Sequence, residues 1–290
     1  MAAWSSLSCN VLRELKHLQD STKRRTIAQI AAFYTGLGKS AFAGGVGIGV
    51  TPLMAMVYPA KHSLALVLPL LILSDTVNFA LYWGEWNALA ALRLLPGAVV
   101  GIIITTRHLV RLPEYWVKKT LGFLALAFVP VQIARMIGWI NLQPANLPPV
   151  WATALGLALG LLIGVFSTMG HVGGIISSVY FLLVLPAGET FPATMVATAT
   201  VLYFFVNGVK IVTFTRAGLL NRTVVRQLPA LIPVLAVGLA VGKVINNALG
   251  DPARAQWFVY IMLAIVIIMA WKLIRAPRPE ELADAEPQDA

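Results

Sequence analysis

Two apolar stretches of this chain are too long to cross a bilayer once, and a cluster of glycines interrupts each of them. Apolar segments fall at about 29–58, 62–83, 88–106, 117–140, 150–186, 192–213, 228–248 and 255–274; a crossing helix takes roughly 20 residues at about 1.5 Å each. A straight helix over 150–186 would run on the order of 54 Å, against a hydrocarbon thickness of about 30 Å. The chain must therefore break, and glycine density shows where. The breaks are Gly44-Gly45-Val46-Gly47-Ile48-Gly49-Val50-Thr51-Pro52 and Ser167-Thr168-Met169-Gly170-His171-Val172-Gly173-Gly174. Both read as re-entrant hairpins.

Charge placement tests that reading, because short cytoplasmic loops collect Lys and Arg. If all eight segments cross once from a cytoplasmic N-terminus, Arg107, Arg111, Lys118 and Lys119 face the wrong side. If both long segments double back, these residues become cytoplasmic and the outer loops keep almost no basic residues. The expected fold is an all-α polytopic membrane protein. It has a basic cytoplasmic tail over 1–28, a first membrane repeat over 29–140, a second over 150–274 and a disordered tail over 275–290. Each repeat holds one broken hairpin and three spanning helices, and the repeats are inverted relative to each other. The sequence carries a trace of that duplication. Asp75-Thr76-Val77-Asn78 precedes a Gly84 turn and Arg93-Leu94-Leu95-Pro96, as Asn207-Gly208-Val209-Lys210 precedes a Gly218 turn and Arg226-Gln227-Leu228-Pro229.

Composition narrows the function. With 58% apolar and 12% charged residues the chain needs lipid as its solvent. The net charge of +10 is spread between apolar segments rather than on one face, which argues against a nucleic-acid partner and for orientation in a plasma (inner) membrane with both termini cytoplasmic. Residues 1–28 lack the apolar core and small-residue cleavage site of a signal peptide. Cys9 is the lone cysteine, so neither a disulfide framework nor a thiolate metal cluster is expected.

Ionisable residues inside a membrane are costly and therefore informative. Lys39, Asp75, His171 and Lys210 are the candidates for charge compensation or proton coupling. Asp75 and Asn78 are three residues apart, as are Asn207 and Lys210, so each pair projects from one helix face. The hairpins expose half-helix N-termini near Thr51 to Met54 and Gly174 to Ser177, where unpaired amides favour an anion. The candidate substrate-binding set is Gly45, Gly47, Gly49, Thr51, Asn78, Gly170, Gly173, Gly174, Asn207 and Lys210. Structural alternatives stand beside it: the glycines serve close helix packing, Asp75 and Lys210 form an ion pair that only holds the bundle, Lys39 snorkels to the interface, and His171 is a satisfied hydrogen-bonding residue.

Three motifs carry no function. Gly36-Leu37-Gly38-Lys39-Ser40 ends like a phosphate-binding loop, but Phe33 occupies the first glycine position and no strand precedes it. Asn221-Arg222-Thr223 matches a glycosylation acceptor on the cytoplasmic side, where that modification does not occur. Trp83, Trp86, Trp116 and Trp139 fit an interfacial aromatic belt.

The residues resemble the TauE/SafE permeases, the sulfite-exporter-like membrane transporters, over roughly 30–275. The resemblance rests on the 44–49 glycine run with Thr51-Pro52, on Leu92-Arg93-Leu94-Leu95-Pro96-Gly97, on Gly170-His171-Val172-Gly173-Gly174, and on Ala197-Thr198-Ala199-Thr200 leading into Val206-Asn207-Gly208-Val209-Lys210. It implies secondary transport, usually export, of a sulfur-containing anion such as sulfite, an organosulfonate or thiosulfate, without ATP hydrolysis. Val46 and Ile48 interrupt the consecutive glycines common in the family, and His171 stands inside the second turn. The expected mechanism is alternating access with the anion held near the midplane, without cofactor or metal. An anion channel, or a carrier for another small anion, is the alternative. An intramembrane enzyme lacks support, since neither H-E-x-x-H nor a paired acidic metal motif occurs. Coupling to protons or another ion, and homo-oligomerisation, are left open.

Overall fold

The structure is a computed structural model of the 290-residue chain and describes residues 2–41, 47–137, 139, 147–186, 191–248 and 252–277. Among the described residues all regular structure is helical. In chain order the helices are α1 (Ala2–Ala41), α2 (Val50–Ala55), α3 (Ala60–Leu81), α4 (Ala88–Arg111), α5 (Glu114–Met136), α6 (Pro149–Gly170), α7 (Gly174–Val184), α8 (Phe191–Arg216), α9 (Arg222–Val225), α10 (Leu228–Ala248) and α11 (Pro252–Ile274). Six of them, α3, α4, α5, α6, α8 and α10, are long and apolar enough to cross a membrane by length and composition. Their outward faces carry exposed Leu92, Ile104, Leu161 and Ile232, while Leu94, Ala98 and Ile102 of α4 are wholly buried. Such a two-sided apolar pattern requires hydrocarbon outside as well as packed side chains inside.

Local chemistry sets the boundaries. The Asn87 side chain accepts the Ala90 amide at 2.9 Å and starts α4. Pro149 occupies the first turn of α6, where its missing N–H costs nothing. Gly84 and Gly218 end the turns after α3 and α8 with φ of +84° and +73°, the left-handed backbone that glycine adopts without strain. Asn221 caps α9 by accepting the Thr223 and Val224 amides, so the residue that heads the glycosylation-like triplet serves a turn. The phosphate-loop-like stretch 36–40 lies within α1. α1 begins at Ala2, so the segment expected as a basic tail continues as helix into the membrane portion.

Both long apolar segments double back. In the first, a single 3-10 turn over Gly47–Gly49 leads into α2. Gly49 lies beside the Tyr34 hydroxyl, and Tyr58, beyond α2, feels the charges of Arg24 and Arg25, which oppose the rise that burial imposes on its phenol. The chain has returned past its own outgoing helix. Gly44 and Gly45 lie outside the described residues. In the second hairpin α6 runs on through Ser167 and Thr168 to Gly170, so the break is confined to 171–173. Thr168 donates to the Gly164 carbonyl at 2.7 Å and the His171 amide to the Ser167 carbonyl at 3.0 Å, which keeps that turn helical. α7 then comes back along α6, and the Tyr180 hydroxyl reaches the Ala152 carbonyl at 3.0 Å.

Two seams hold the bundle. α4 crosses α6 where Gly97 and Gly101 face Gly160 and Gly164; a Cβ at Gly160 would collide with the Leu94 carbonyl, and one at Gly97 with that of Leu157. α1 crosses α10 in the same way, with Gly36 against Leu235 and Leu239, Gly238 against Phe33 and Gly242 against Leu37. Small residues let backbones touch, which drives helix association where hydrophobicity cannot. Between the seams α3 packs on α8 and α5 on α11.

Candidate functional site

The α3–α8 contact is the polar centre of the molecule. Asp75, 1% exposed, accepts from Lys39 Nζ at one oxygen and from Asn207 Nδ2 at the other, 2.7 Å away. The ion pair with Lys39 joins α1 to α3, and Lys39 also lies 5.5 Å from the centre of the Tyr203 ring. Asn78, one turn beyond Asp75, donates to the Lys39 carbonyl at 3.4 Å. Asp75 therefore pairs with Lys39 and not with Lys210, and Lys39 turns inward instead of snorkelling.

Lys210 forms the second part. Its side chain is wholly buried. Its ammonium reaches Ser167 Oγ at 2.9 Å, the Ser167 carbonyl at 3.3 Å and His171 Nδ1 at 2.9 Å. Three acceptors meet the three donors of an ammonium. The other nitrogen of His171 lies 3.1 Å from the Leu64 carbonyl. A carbonyl only accepts, so Nε2 carries the hydrogen and Nδ1 receives the Lys210 donor, which assigns a neutral imidazole. His171 is the lone non-glycine residue with positive φ among the described residues, at 58°; it ends α6 in a conformation that costs an ordinary residue about 1–2 kcal/mol. Its two side-chain bonds hold it there.

The helical period explains the convergence. Tyr203, Asn207 and Lys210 follow one another at steps of four and three on α8 and share a face. The Tyr203 hydroxyl donates to Ser177 Oγ at 3.1 Å, and Ser177 in turn donates to the Gly174 carbonyl at 3.0 Å, so the first turn of α7 is tied to the same face. Gly173 lies against Tyr203 and Ser167 because a Cβ there would meet both.

The formal charges of the cluster are Lys39⁺, Asp75⁻ and Lys210⁺, and among the described residues the Lys39–Asp75 pair is the single salt bridge. Every acceptor around Lys210 is neutral. The cluster thus carries one surplus positive charge inside the bundle. Four buried side-chain oxygens have no partner among the described residues: Asn207 Oδ1 in the cluster, Thr51 Oγ1 in the first turn of α2, and, away from the cluster, Gln132 Oε1 in α5 and Gln227 Oε1. By contrast the buried hydroxyls of Thr35, Ser63, Ser74 and Thr168 all bond back to a carbonyl of their own helix.

The expected residues separate into two groups. Lys39, Asp75, Asn78, His171, Asn207 and Lys210 come together, with Gly173 and Gly174 beside them. Gly49 instead packs on Tyr34, Val266 and Met269, and Gly170 faces Leu121 and Leu124 of α5. Gly47 opens the 3-10 turn, Thr51 is buried in α2, and Gly45 lies outside the described residues. The sequence reading missed Ser167 as a Lys210 partner, together with Tyr203, Ser177 and the Leu64 carbonyl. Tyr203 was findable, being one helical turn before Asn207. The Leu64 carbonyl left no trace, since Pro69 in the same helix frees the carbonyl of Ala65 and not that of Leu64.

No curated protein and no solved structure matches the chain. The family model described as Sulfite exporter TauE/SafE matches residues 28–270. That span runs from the membrane portion of α1 nearly to the end of α11 and takes in the whole polar cluster, so the chain belongs to the TauE/SafE family of multi-pass membrane transporters.

Proposed function

We propose that this protein is a secondary active transporter that exports a small sulfur-containing oxyanion, such as sulfite or an organosulfonate, across the plasma (inner) membrane with both termini in the cytoplasm. The observation that carries the reading is Lys210: a wholly buried ammonium whose close partners, Ser167 and His171, are neutral. A buried charge without a counter-charge costs several kcal/mol, and a bound anion removes that cost. Lys39 spends one donor on Asp75 and keeps a partly exposed side chain, which suits it to touch the anion while Lys210 supplies the field. Membership of a sulfite-exporter family supplies the substrate class.

On this proposal residues 29–140 and 150–274 are inverted repeats, and alternating access exchanges their conformations. The paired hairpins and the α3–α8 pairing support it. Asp75 and Asn207, matched in the internal sequence comparison, bond to each other. Asn78 and Lys210, also matched, each reach a carbonyl near the end of a hairpin's first helix, Lys39 in α1 and Ser167 in α6. The anion lies between Lys39, Asn78, Asn207 and Lys210, close to Gly173 and Gly174 at the start of α7 and to the 47–51 stretch of the first hairpin. His171 or Asp75 is the proton-exchanging group if transport is proton-coupled. The segments 1–28 and 275–290 flank the transport unit.

Uptake of radiolabelled sulfite into proteoliposomes, with and without a pH gradient, tests this, comparing the native chain with Lys210→Ala. Saturable uptake that the substitution abolishes in folded protein is the expected result. Full-rate transport by a correctly inserted Lys210→Ala protein removes Lys210 from the mechanism, and no uptake under any gradient detaches the chain from sulfur oxyanions.

A further inference from the structure

We infer that the site takes its oxyanion in a singly charged form that still carries a proton, the hydrogen-sulfite type of ion, and discriminates against dianions. The inference rests on the anion-transport reading above and names the charge state of the substrate at that same site. Two independent observations carry it.

The first is the charge balance. The groups that face the site are Lys39 from α1, Asp75 and Asn78 from α3, His171 from the α6–α7 turn, and Tyr203, Asn207 and Lys210 from α8. Of these, Lys39 and Asp75 cancel as an ion pair, and His171 is held neutral by donating to the Leu64 carbonyl while accepting from Lys210. One positive charge remains. A monoanion brings the buried cluster to neutrality, whereas a dianion replaces a surplus positive charge by a surplus negative one and restores the burial penalty with opposite sign.

The second is Asn207. Its amide cannot be turned round, because Nδ2 faces the Asp75 carboxylate, which only accepts. Its Oδ1 must therefore point away from Asp75, and this acceptor, on a residue 1% exposed, has no partner among the described residues. Lys39 and Lys210 offer only donors to an anion. An acceptor placed among them finds its complement in a ligand hydroxyl, and a site built to bond a proton disfavours the analogue lacking it. A fully ionised oxyanion would instead set oxygen against oxygen at this position.

The test uses the full chain in proteoliposomes and measures sulfite flux on either side of the second ionisation of sulfite. Methanesulfonate and sulfate serve as competitors. Methanesulfonate is singly charged throughout and has no proton to give, so its inhibition constant reports any titration of the protein itself. The expected result is that the KM for total sulfite rises by about tenfold per pH unit once the dianion predominates, relative to the methanesulfonate constant. Methanesulfonate should compete about tenfold more weakly than hydrogen sulfite, the equivalent of one buried hydrogen bond, and sulfate weakly at every pH. A KM that falls as the dianion accumulates, or sulfate competing as well as sulfite, overturns the charge assignment. Methanesulfonate competing as well as hydrogen sulfite overturns the role of Asn207. Absence of all sulfur-oxyanion flux at every pH is a different outcome and refutes the transport reading itself.

Discussion

Replacing Asp75 by Asn is the most informative single change, because it alters the charge of the site while keeping its shape. Asp75 accepts from Lys39 and Asn207. After Asp75→Asn, the new amide must turn its oxygen to the Lys39 ammonium and its NH₂ to Asn207, so Asn207 flips and presents Oδ1. That flip satisfies the orphaned acceptor and withdraws it from the ligand. Removing one partner of a buried ion pair costs about 3–5 kcal/mol. Here Lys39 is 16% exposed and keeps an amide acceptor, so a loss of about 1–2 kcal/mol is expected.

The effect on selectivity is larger. On the proposed site the anion and Asp75 share the Lys39 ammonium at about 3 Å each, which sets them roughly 6 Å apart. At an effective dielectric of about 20, losing the carboxylate favours each negative charge on the ligand by about 3 kcal/mol. A dianion gains that amount once more than a monoanion does, a limit of about a hundredfold in relative affinity, and partial hydration of Lys39 brings the expected shift to about tenfold or more. Competition of sulfate and thiosulfate against labelled sulfite in proteoliposomes reads this directly, with size-exclusion monodispersity as the folding control. The variant should admit dianions that the native protein rejects. An unchanged selectivity in folded Asp75→Asn protein would refute the charge reasoning.

Glycine seams should be sharply position-dependent: Gly160→Ala and Gly238→Ala place a Cβ against the carbonyls of Leu94 and Phe33 and should each cost about 1–3 kcal/mol. Gly208→Ala meets open space and should be neutral or stabilising by a few tenths to about 1 kcal/mol, all read by thermal melting in detergent. At position 171, His171→Asn should fold, since Asn tolerates the left-handed backbone, whereas His171→Val should lower the melting temperature by the equivalent of about 1–2 kcal/mol more. A Thr106→Cys, Thr213→Cys pair, whose native hydroxyls stand 3.5 Å apart across α4 and α8, should stop flux on oxidation and recover it on reduction, if α8 moves against the α4–α6 seam during transport.

Much of this fold was legible because lipid leaves a chain few options. Apolar length and glycine density marked where both long segments break; the helix after the second break starts at Gly174 as expected, and the one after the first at Val50, one residue before the expected Thr51. The positive φ at Gly84 and Gly218 followed from the turns read at those positions. Pairing across the site was harder. Sequence spacing places Asp75 with Asn78 and Asn207 with Lys210 on their own helices, but it cannot choose between Lys39 and Lys210 as the partner of Asp75, which depends on how α1 approaches α3. Nor could it reveal backbone acceptors: the Leu64 and Ser167 carbonyls that fix His171 and Lys210 belong to residue types that carry no such signal.

The seams bear on how such a bundle could move. Each joins one helix from the first half of the chain to one from the second, α1 with α10 and α4 with α6, through contacts of backbone on glycine that leave no slack for sliding. The units that stay rigid are then mixed pairs and not the two halves of the sequence. The helices that carry the polar residues, α3 and α8, lie between these pairs and meet through the hydrogen bond from Asn207 to Asp75, while Lys210 of α8 bonds to Ser167 and His171; these contacts can exchange partners at small cost compared with opening a close-packed seam. On the proposed alternating-access cycle, the joint that opens first is therefore the one that holds the anion. Binding that supplies the missing counter-charge there would change the relative energy of the two arrangements by several kcal/mol, enough to reverse a preference of about a hundredfold between them.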